Sequence, residues 1–275
     1  MPFEIRRTSH HGTRHPAYAR LKVQTSELLH WADLPKDARQ EVMTVYFGLT
    51  ERWLRCHEIV ERLTGQLRTA ITEFRPDGDP RVITVPHIGG LRGEVENFLY
   101  EAKNYLRDLL NIVNIFFNEK FDEASAFYST KEHGKSGLVR WATGKFSATD
   151  PFTTMLISEQ EWTRELIRKR NAVEHPRGKS GTLHIDNFTV TPTRDLVLPH
   201  WKRDQNEPTG LFNDLTMYLD NMLTVGEDML ASCIHHQLQH EVIQFVEIPV
   251  EDRNVECPVR ITVQLDHSKI RTPDS

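Results

Sequence analysis

The residues Arg170-Asn171-Ala172-Val173-Glu174-His175, followed by Pro176, combine side chains that could act on a phosphodiester. An imidazole titrates near neutral pH and can take a proton from a hydroxyl group. A guanidinium can bind the adjacent phosphate and stabilise the charge that develops on phosphorus, without a metal ion. This pattern predicts RNA cleavage through the ribose 2′-hydroxyl, leaving a 2′,3′-cyclic phosphate and a free 5′-hydroxyl.

The predicted position of Arg170 on its helix is unusual for a charged residue. At about 100° per residue, it falls beside the apolar stripe of a helix that ends at His175. An unpaired guanidinium is costly to bury, so Arg170 needs an acid, a phosphate, or an opening to water at a groove or interface. In a regular helix His175 would lie roughly 140° from Arg170. Because Pro176 disfavours helical geometry in the preceding residue, we expect the last turn to unwind and bring the imidazole towards Arg170.

Basic residues surround this segment, although the chain as a whole carries a formal charge of −5. Glu165 and Glu174 are the acids that oppose them locally. A local positive patch of this kind can steer an RNA backbone towards the segment. The predicted RNA-binding residues are Arg164, Arg168, Lys169, Arg177 and Lys179.

The segment from Arg170 to His175 resembles the R-N-x-x-x-H form of the R-x(4-6)-H motif of HEPN domains. The resemblance implies a metal-independent endoribonuclease with Arg170 and His175 as catalytic residues and Asn171 as the polar residue that often follows the arginine. In that family the site is usually brought together from two chains or two domains, which implies a homodimer here, in a toxin or antiviral defence setting with a possible antitoxin or regulatory partner. Family members often carry an acidic or polar residue on an earlier helix that contacts the motif, a role that Glu101 or Asn104 could fill.

Two other interpretations of the segment remain open. In the first, the chain is a catalytically silent HEPN-like module that binds RNA or a nucleotide and regulates another protein. In the second, it is an unrelated helical bundle in which Arg170 pairs with a glutamate and His175 caps a helix, so that both residues serve structure only.

The elements that would position the motif are predicted to be mainly α-helical. Residues 1–20 are rich in His and Arg without periodicity and are expected to form a flexible arm, and residues 21–275 to form a single HEPN-like domain. Apolar residues at helical spacing predict a bundle of four long helices. Alternating residues predict β elements at about 181–200 and 242–266, before and after the last helix, which we expect to pair in one small antiparallel sheet. The predicted long helices cover residues 36–74, 91–118, 150–175 and 210–240.

The composition predicts a globular cytoplasmic protein, with 38% hydrophobic and 27% charged residues and no apolar segment long enough to span a membrane. The three cysteines are isolated in sequence, which favours structural thiols. No metal or cofactor is expected. The alternative metal sites are His10, His11 and His15 near the N-terminus, and His236 with His240 and Glu241 at the end of the last helix.

Overall fold

The computed structural model describes residues 11–74, 84–128, 137–204, 206–238 and 242–266. The chain divides into two compact units. The first comprises Met1–Glu51, Asp108–Phe121 and Leu223–Ser275, and the second comprises Arg52–Arg107 and Asp122–Met222. The candidate motif therefore belongs to the second unit.

The fold is mainly helical, as the hydrophobic periodicity predicts. The first helix continues through a π-helical turn, Ala19–Val23, into the second, and short 3₁₀ turns occur at Ala124–Phe127 and Val250–Asp252. None of the described helices is long and apolar enough to cross a membrane. The helices are α1 (Pro16–Tyr18), α2 (Gln24–Leu29), α3 (Lys36–Glu73), α4 (Leu91–Phe117), α5 (Leu138–Lys145), α6 (Pro151–Ser158), α7 (Gln160–Glu174) and α8 (Leu211–His235).

The predicted apolar stripe of α4 is buried along its whole length, which confirms the helical periodicity. In the second unit, two polar aromatic side chains fasten α3 and α4 to α8. Trp53 donates its indole N–H to the Leu219 carbonyl at 2.9 Å, and the Tyr105 hydroxyl donates to the Met222 carbonyl at 2.8 Å. Each satisfies a buried polar group while its ring fills the core. The buried stripe is Val95, Phe98, Leu99, Ala102, Leu106, Leu109, Val113 and Phe116.

A buried carboxylate organises the first unit. The Glu227 side chain is 0% exposed and accepts hydrogen bonds from Arg20, Arg260 and the Gln24 amide. Gln24 Oε1 in turn accepts from the backbone of Arg260 at 2.7 Å and of Ile261 at 2.6 Å. A buried carboxylate is tolerated only when it is paired and hydrogen-bonded in this way. The cluster attaches the N-terminal helices to the C-terminal strand.

The expected flexible arm over residues 1–20 is wrong for its last five residues. The chain is helical from Pro16, and Ala17, Ala19 and Leu21 are fully buried. His15 caps this helix by accepting the Ala17 N–H on Nδ1 at 3.2 Å. Residues 1–10 of the expected arm lie outside the described residues.

The predicted strands form, but their expected pairing with each other is wrong. In the second unit, β1 (Leu183–Asp186), β4 (His200–Arg203) and β5 (Thr209–Gly210) form an antiparallel sheet in the order β1-β4-β5, and β2 (Thr189–Val190) pairs with β3 (Leu196–Val197). In the first unit, β6 (Ile243–Glu247) pairs with β7 (Ile261–Leu265), with Ile243 opposite Leu265. Each late strand pairs with the other instead, because the partner of a strand depends on tertiary packing that local alternation does not contain.

The predicted helix over 150–175 is divided into two. Asp150 caps α6 by accepting the Phe152 N–H at 2.9 Å, with Pro151 in the first turn, as its sequence predicts. The helix then breaks at Glu159, and α7 begins at Gln160. The last long helix, predicted to run to residue 240, ends at His235.

Candidate functional site

The end of α7 unwinds where the sequence predicts. Helical hydrogen bonding stops at His175, whose φ of −127° and ψ of 70° are not helical, although its N–H still donates to the Asn171 carbonyl at 2.8 Å. The chain then turns back, and the Gly178 N–H donates to the His175 carbonyl at 2.9 Å. A Cβ on residue 178 would lie only 2.9 Å from that carbonyl oxygen, so the turn requires glycine.

Arg170 is held on two sides within one chain. Its guanidinium forms an ion pair with Glu174 and lies over the Tyr100 ring, 4.5 Å from the centroid. The Arg170 side chain is 12% exposed. Burial lowers the pKa of Arg170 from its ordinary value, and Arg107 acts in the same direction, against Tyr100 and Glu123. The group nevertheless stays protonated, because guanidinium does not titrate in the accessible pH range.

The Glu174 carboxylate also contacts the imidazole of His175. Glu174 Oε2 lies 3.4 Å from His175 Nε2, and it is the same oxygen that pairs with Arg170. The His175 side chain is 72% exposed. One carboxylate thus connects a largely buried guanidinium to an imidazole that solvent and ligands can reach.

Asn171 is fixed by a lysine of the preceding long helix. Lys103 on α4 donates from Nζ to Asn171 Oδ1 at 2.9 Å. Burial lowers the pKa of Lys103, and the charges of Arg170 and Arg107 lower it further, whereas Glu123 raises it. Arg170, Lys103 and Arg107 thus bring three cations to the motif, opposed by the carboxylates of Glu123 and Glu174.

Within the described part of α4, Tyr100 and Lys103 make interactions with the motif, and the expected Glu101 and Asn104 make no hydrogen bond to it. Glu101 accepts hydrogen bonds from Arg52 at 2.9 Å and Arg55 at 3.0 Å, so its carboxylate is already used by α3. Among the described residues, Asn104 makes no hydrogen bond to the motif. A signal for the missed residues exists in the sequence: Tyr100, Lys103 and Arg107 recur at spacings of three and four on one side of α4.

Lys169 is not a surface cation, contrary to its expected role in RNA binding. It is 4% exposed, donates to Asp214 and to the Tyr218 hydroxyl, both at 3.2 Å, and lies 4.3 Å from the centroid of the Trp201 ring. Its position on α7, one residue before Arg170, directs it into the core instead. A buried ammonium requires such a carboxylate and aromatic surroundings, which compensate for the loss of water.

The other four predicted RNA-binding residues remain accessible at the surface. Arg168, Arg177 and Lys179 are exposed, and Arg164 is partly buried with its guanidinium 5.9 Å from the centroid of the Tyr128 ring. Arg177 adopts a φ of 65°, which places it in the turn that follows the motif. These cations can attract phosphate without the cost of breaking a buried pair.

The partial burial of Arg170 does not require a second chain. The sequence left an acid, a phosphate, or a groove or interface as partners for the guanidinium, and the structure places Glu174 and Tyr100 of the same chain beside it. The homodimer stays a prediction from the resemblance alone.

No group of three or more potential ligands is placed to hold a metal ion within the described ranges. His10 lies outside those ranges, as do His240 and Glu241 of the alternative site at the end of the last helix.

Comparisons with protein-family models, with curated proteins and with solved structures gave no match.

Proposed function

We propose that this protein is a metal-independent endoribonuclease of the HEPN type. His175 removes the proton from a ribose 2′-hydroxyl, and the resulting oxygen attacks the adjacent phosphorus. Arg170 binds the phosphate and stabilises the charge that builds up in the transition state. The products are a 2′,3′-cyclic phosphate and a 5′-hydroxyl, so no water or metal takes part in the bond-breaking step.

The observation that carries the proposal is the shared carboxylate of Glu174. It lies beside both Arg170 and His175 Nε2, while the imidazole remains open to a ligand. In the proposed mechanism, the carboxylate 3.4 Å from Nε2 orients the ring and leaves the other nitrogen, Nδ1, to act as the base. It also stabilises the imidazolium that forms after proton transfer.

The surrounding charge suits an RNA substrate. Arg107 on α4 and the accessible arginines of α7 can hold the phosphates on either side of the scissile bond. In the proposal, two copies bring their motifs together across a basic groove, and the setting is a toxin or antiviral defence system with an antitoxin or regulatory partner. These last features rest on the resemblance to HEPN domains.

A specific observation favours a second candidate, a catalytically silent module that binds RNA or a nucleotide. Arg170 is largely buried, and its charge is already balanced by Glu174. If this pair does not open when RNA binds, Arg170 contributes to stability and the exposed cations bind RNA without cleaving it.

Cleavage of RNA in EDTA separates the two candidates. The enzyme is expected to cleave under these conditions, and His175→Ala and Arg170→Ala should each lower the rate by roughly a hundredfold or more while retaining the helical circular dichroism spectrum. His184→Ala is a matched control, because His184 is an exposed histidine of strand β1 outside the motif. RNA binding by the wild-type protein without any cleavage would favour the silent module.

A further inference from the structure

Lys103 is a cation at the motif that the proposed mechanism leaves without a chemical role. Its ammonium carries three N–H donors, and one of them is directed to Asn171 Oδ1 at 2.9 Å. Asn171 lies between Arg170 and His175 in the same turn of chain, and its carbonyl accepts the His175 N–H. The hydrogen bond therefore fixes the Lys103 ammonium to the segment that carries the base, with two N–H groups left for a substrate.

The charges that face Lys103 favour loss of its proton. Arg107 acts from its own helix, Arg170 from α7, and the opposing Glu123 from the segment just before the 3₁₀ turn Ala124–Phe127. Among the residues that the structure describes, no carboxylate forms an ion pair with Lys103. Burial and the two arginines lower the pKa of Lys103. A group that must release a proton during catalysis works best when its pKa lies closer to the working pH.

Cleavage of the phosphodiester needs such a donor. When the bond between phosphorus and the 5′-oxygen breaks, the departing oxygen is a strongly basic alkoxide unless it receives a proton. His175 is occupied with the proton of the 2′-hydroxyl at this moment, and Arg170 does not release one in the accessible pH range. Among the residues that the structure describes, Lys103 is the other titratable cation with a direct hydrogen bond to the motif.

We propose that Lys103, anchored to the motif by Asn171, donates the proton to the departing 5′-oxygen. The inference rests on the proposed endoribonuclease function. The bond from the 2′-oxygen to phosphorus forms while the bond from phosphorus to the 5′-oxygen breaks. The 2′-hydroxyl proton goes to His175, and a proton of the Lys103 ammonium goes to the 5′-oxygen. Exchange with water then returns a proton to Lys103 and removes one from His175, so that the complete cycle neither consumes nor releases protons.

A substrate with sulfur in place of the bridging 5′-oxygen tests this role. A thiolate leaves without protonation, so this substrate removes the need for a proton donor but keeps the need for a base. The Lys103→Met variant should cleave ordinary RNA roughly a hundredfold more slowly than the wild type. It should cleave the sulfur substrate at close to the wild-type rate. His175→Ala should be slow on both substrates. Lys36→Met, at an exposed lysine outside the motif, should resemble the wild type on both.

Lys103→Arg separates positive charge from proton donation and covers the case in which Lys103→Met does not fold. An arginine keeps the charge and can still donate a hydrogen bond to Asn171, but it does not give up a proton. We expect the cleavage rate of the Lys103→Arg variant to be as low as that of Lys103→Met on ordinary RNA. On the sulfur substrate, its cleavage rate should return close to that of the wild type. On ordinary RNA, the cleavage rate of the wild-type protein should fall at alkaline pH, because Lys103 loses the proton that it donates. On the sulfur substrate this fall should be absent.

Two results would overturn the inference while leaving the nuclease intact. One is an equal loss on both substrates, which indicates phosphate binding or a structural role for Lys103. The other is a wild-type rate for Lys103→Arg on ordinary RNA, which indicates that only charge matters. If the wild-type protein cleaves neither substrate in EDTA, the proposed function itself fails.

Discussion

At the end of α7, a single carboxylate oxygen lies within reach of both reactive groups of the motif. Glu174 could be taken as a residue that neutralises Arg170 and so keeps phosphate away. The contact with the exposed His175 argues that Glu174 also orients the imidazole, because a residue that only neutralised Arg170 would not have to contact that ring. In the proposed mechanism, Glu174 therefore serves as a positioning residue for His175 and as the resting partner of the Arg170 guanidinium.

Replacing Glu174 by glutamine tests this assignment. The amide keeps the shape of the side chain but can neither balance Arg170 nor stabilise an imidazolium. We expect the cleavage rate to fall by roughly tenfold to a hundredfold and the free energy of unfolding to fall by about 1 to 3 kcal/mol, because a largely buried guanidinium loses its partner. Kinetics in EDTA and urea unfolding measure the two effects, and an increase in rate would show that Glu174 masks the site.

Lys169 and Lys179 illustrate what the sequence pattern could not separate. Both were predicted to bind RNA, yet one is buried against Asp214 and the other is exposed. Lys169→Ala is expected to lower the free energy of unfolding by about 1 to 3 kcal/mol, because it leaves the partly buried Asp214 carboxylate without its cation. Lys179→Ala should change the free energy of unfolding by less than about 0.5 kcal/mol, but weaken RNA binding in a salt-dependent manner. Equal stability losses for the two variants would contradict the burial of Lys169.

Among the elements, the turn after α7 is the one that the sequence predicted most directly. Pro176 indicated the unwinding of His175, and α7 ends at Glu174. The break at Glu159 was missed, because neither glycine nor proline marks it and its dihedral angles remain close to helical. The alternation of apolar and polar residues identified the β-strands but not which strands pair with each other. The pairing of a strand depends on tertiary packing, which a local sequence pattern does not contain.

The tightness of the same turn leads to a prediction about Gly178. An alanine there places a Cβ against the His175 carbonyl oxygen, so the backbone beside the base must shift. We expect Gly178→Ala to lower the cleavage rate by roughly tenfold, because small displacements of a catalytic group are costly. Gly144→Ala is the matched control, as nothing lies within 4 Å of its added Cβ. An unchanged rate for Gly178→Ala would mean that the position of His175 does not limit catalysis.

On the scale of the whole molecule, each chain carries a complete pair of arginine and histidine. Arg170 and His175 converge on Glu174 within the second unit, so the geometry does not require a second copy to unite them. The HEPN resemblance implies a homodimer, in which two such pairs would face the same groove. Composition and periodicity predicted the mainly helical fold, whereas the division into two units and the buried Glu227 cluster depend on contacts between residues more than 200 positions apart.

Mixing two inactive variants tests whether the pair acts within one chain. If it does, a mixture of Arg170→Ala and His175→Ala that has been unfolded and refolded together stays inactive, because no chain contains both groups. If the arginine of one chain works with the histidine of the other, the mixed dimers regain activity. We expect no recovery. Sedimentation of the mixture establishes that dimers have formed, and the rate of the mixture relative to wild type is the readout.

The most direct measurement of the central claim is the chemistry of the RNA ends produced in EDTA. The account predicts fragments with 2′,3′-cyclic phosphate and 5′-hydroxyl termini, identified by mass spectrometry, from the wild-type protein and from His184→Ala but not from His175→Ala. Absence of cleavage by the wild type, fragments with 5′-phosphate termini, or full cleavage by His175→Ala would contradict it.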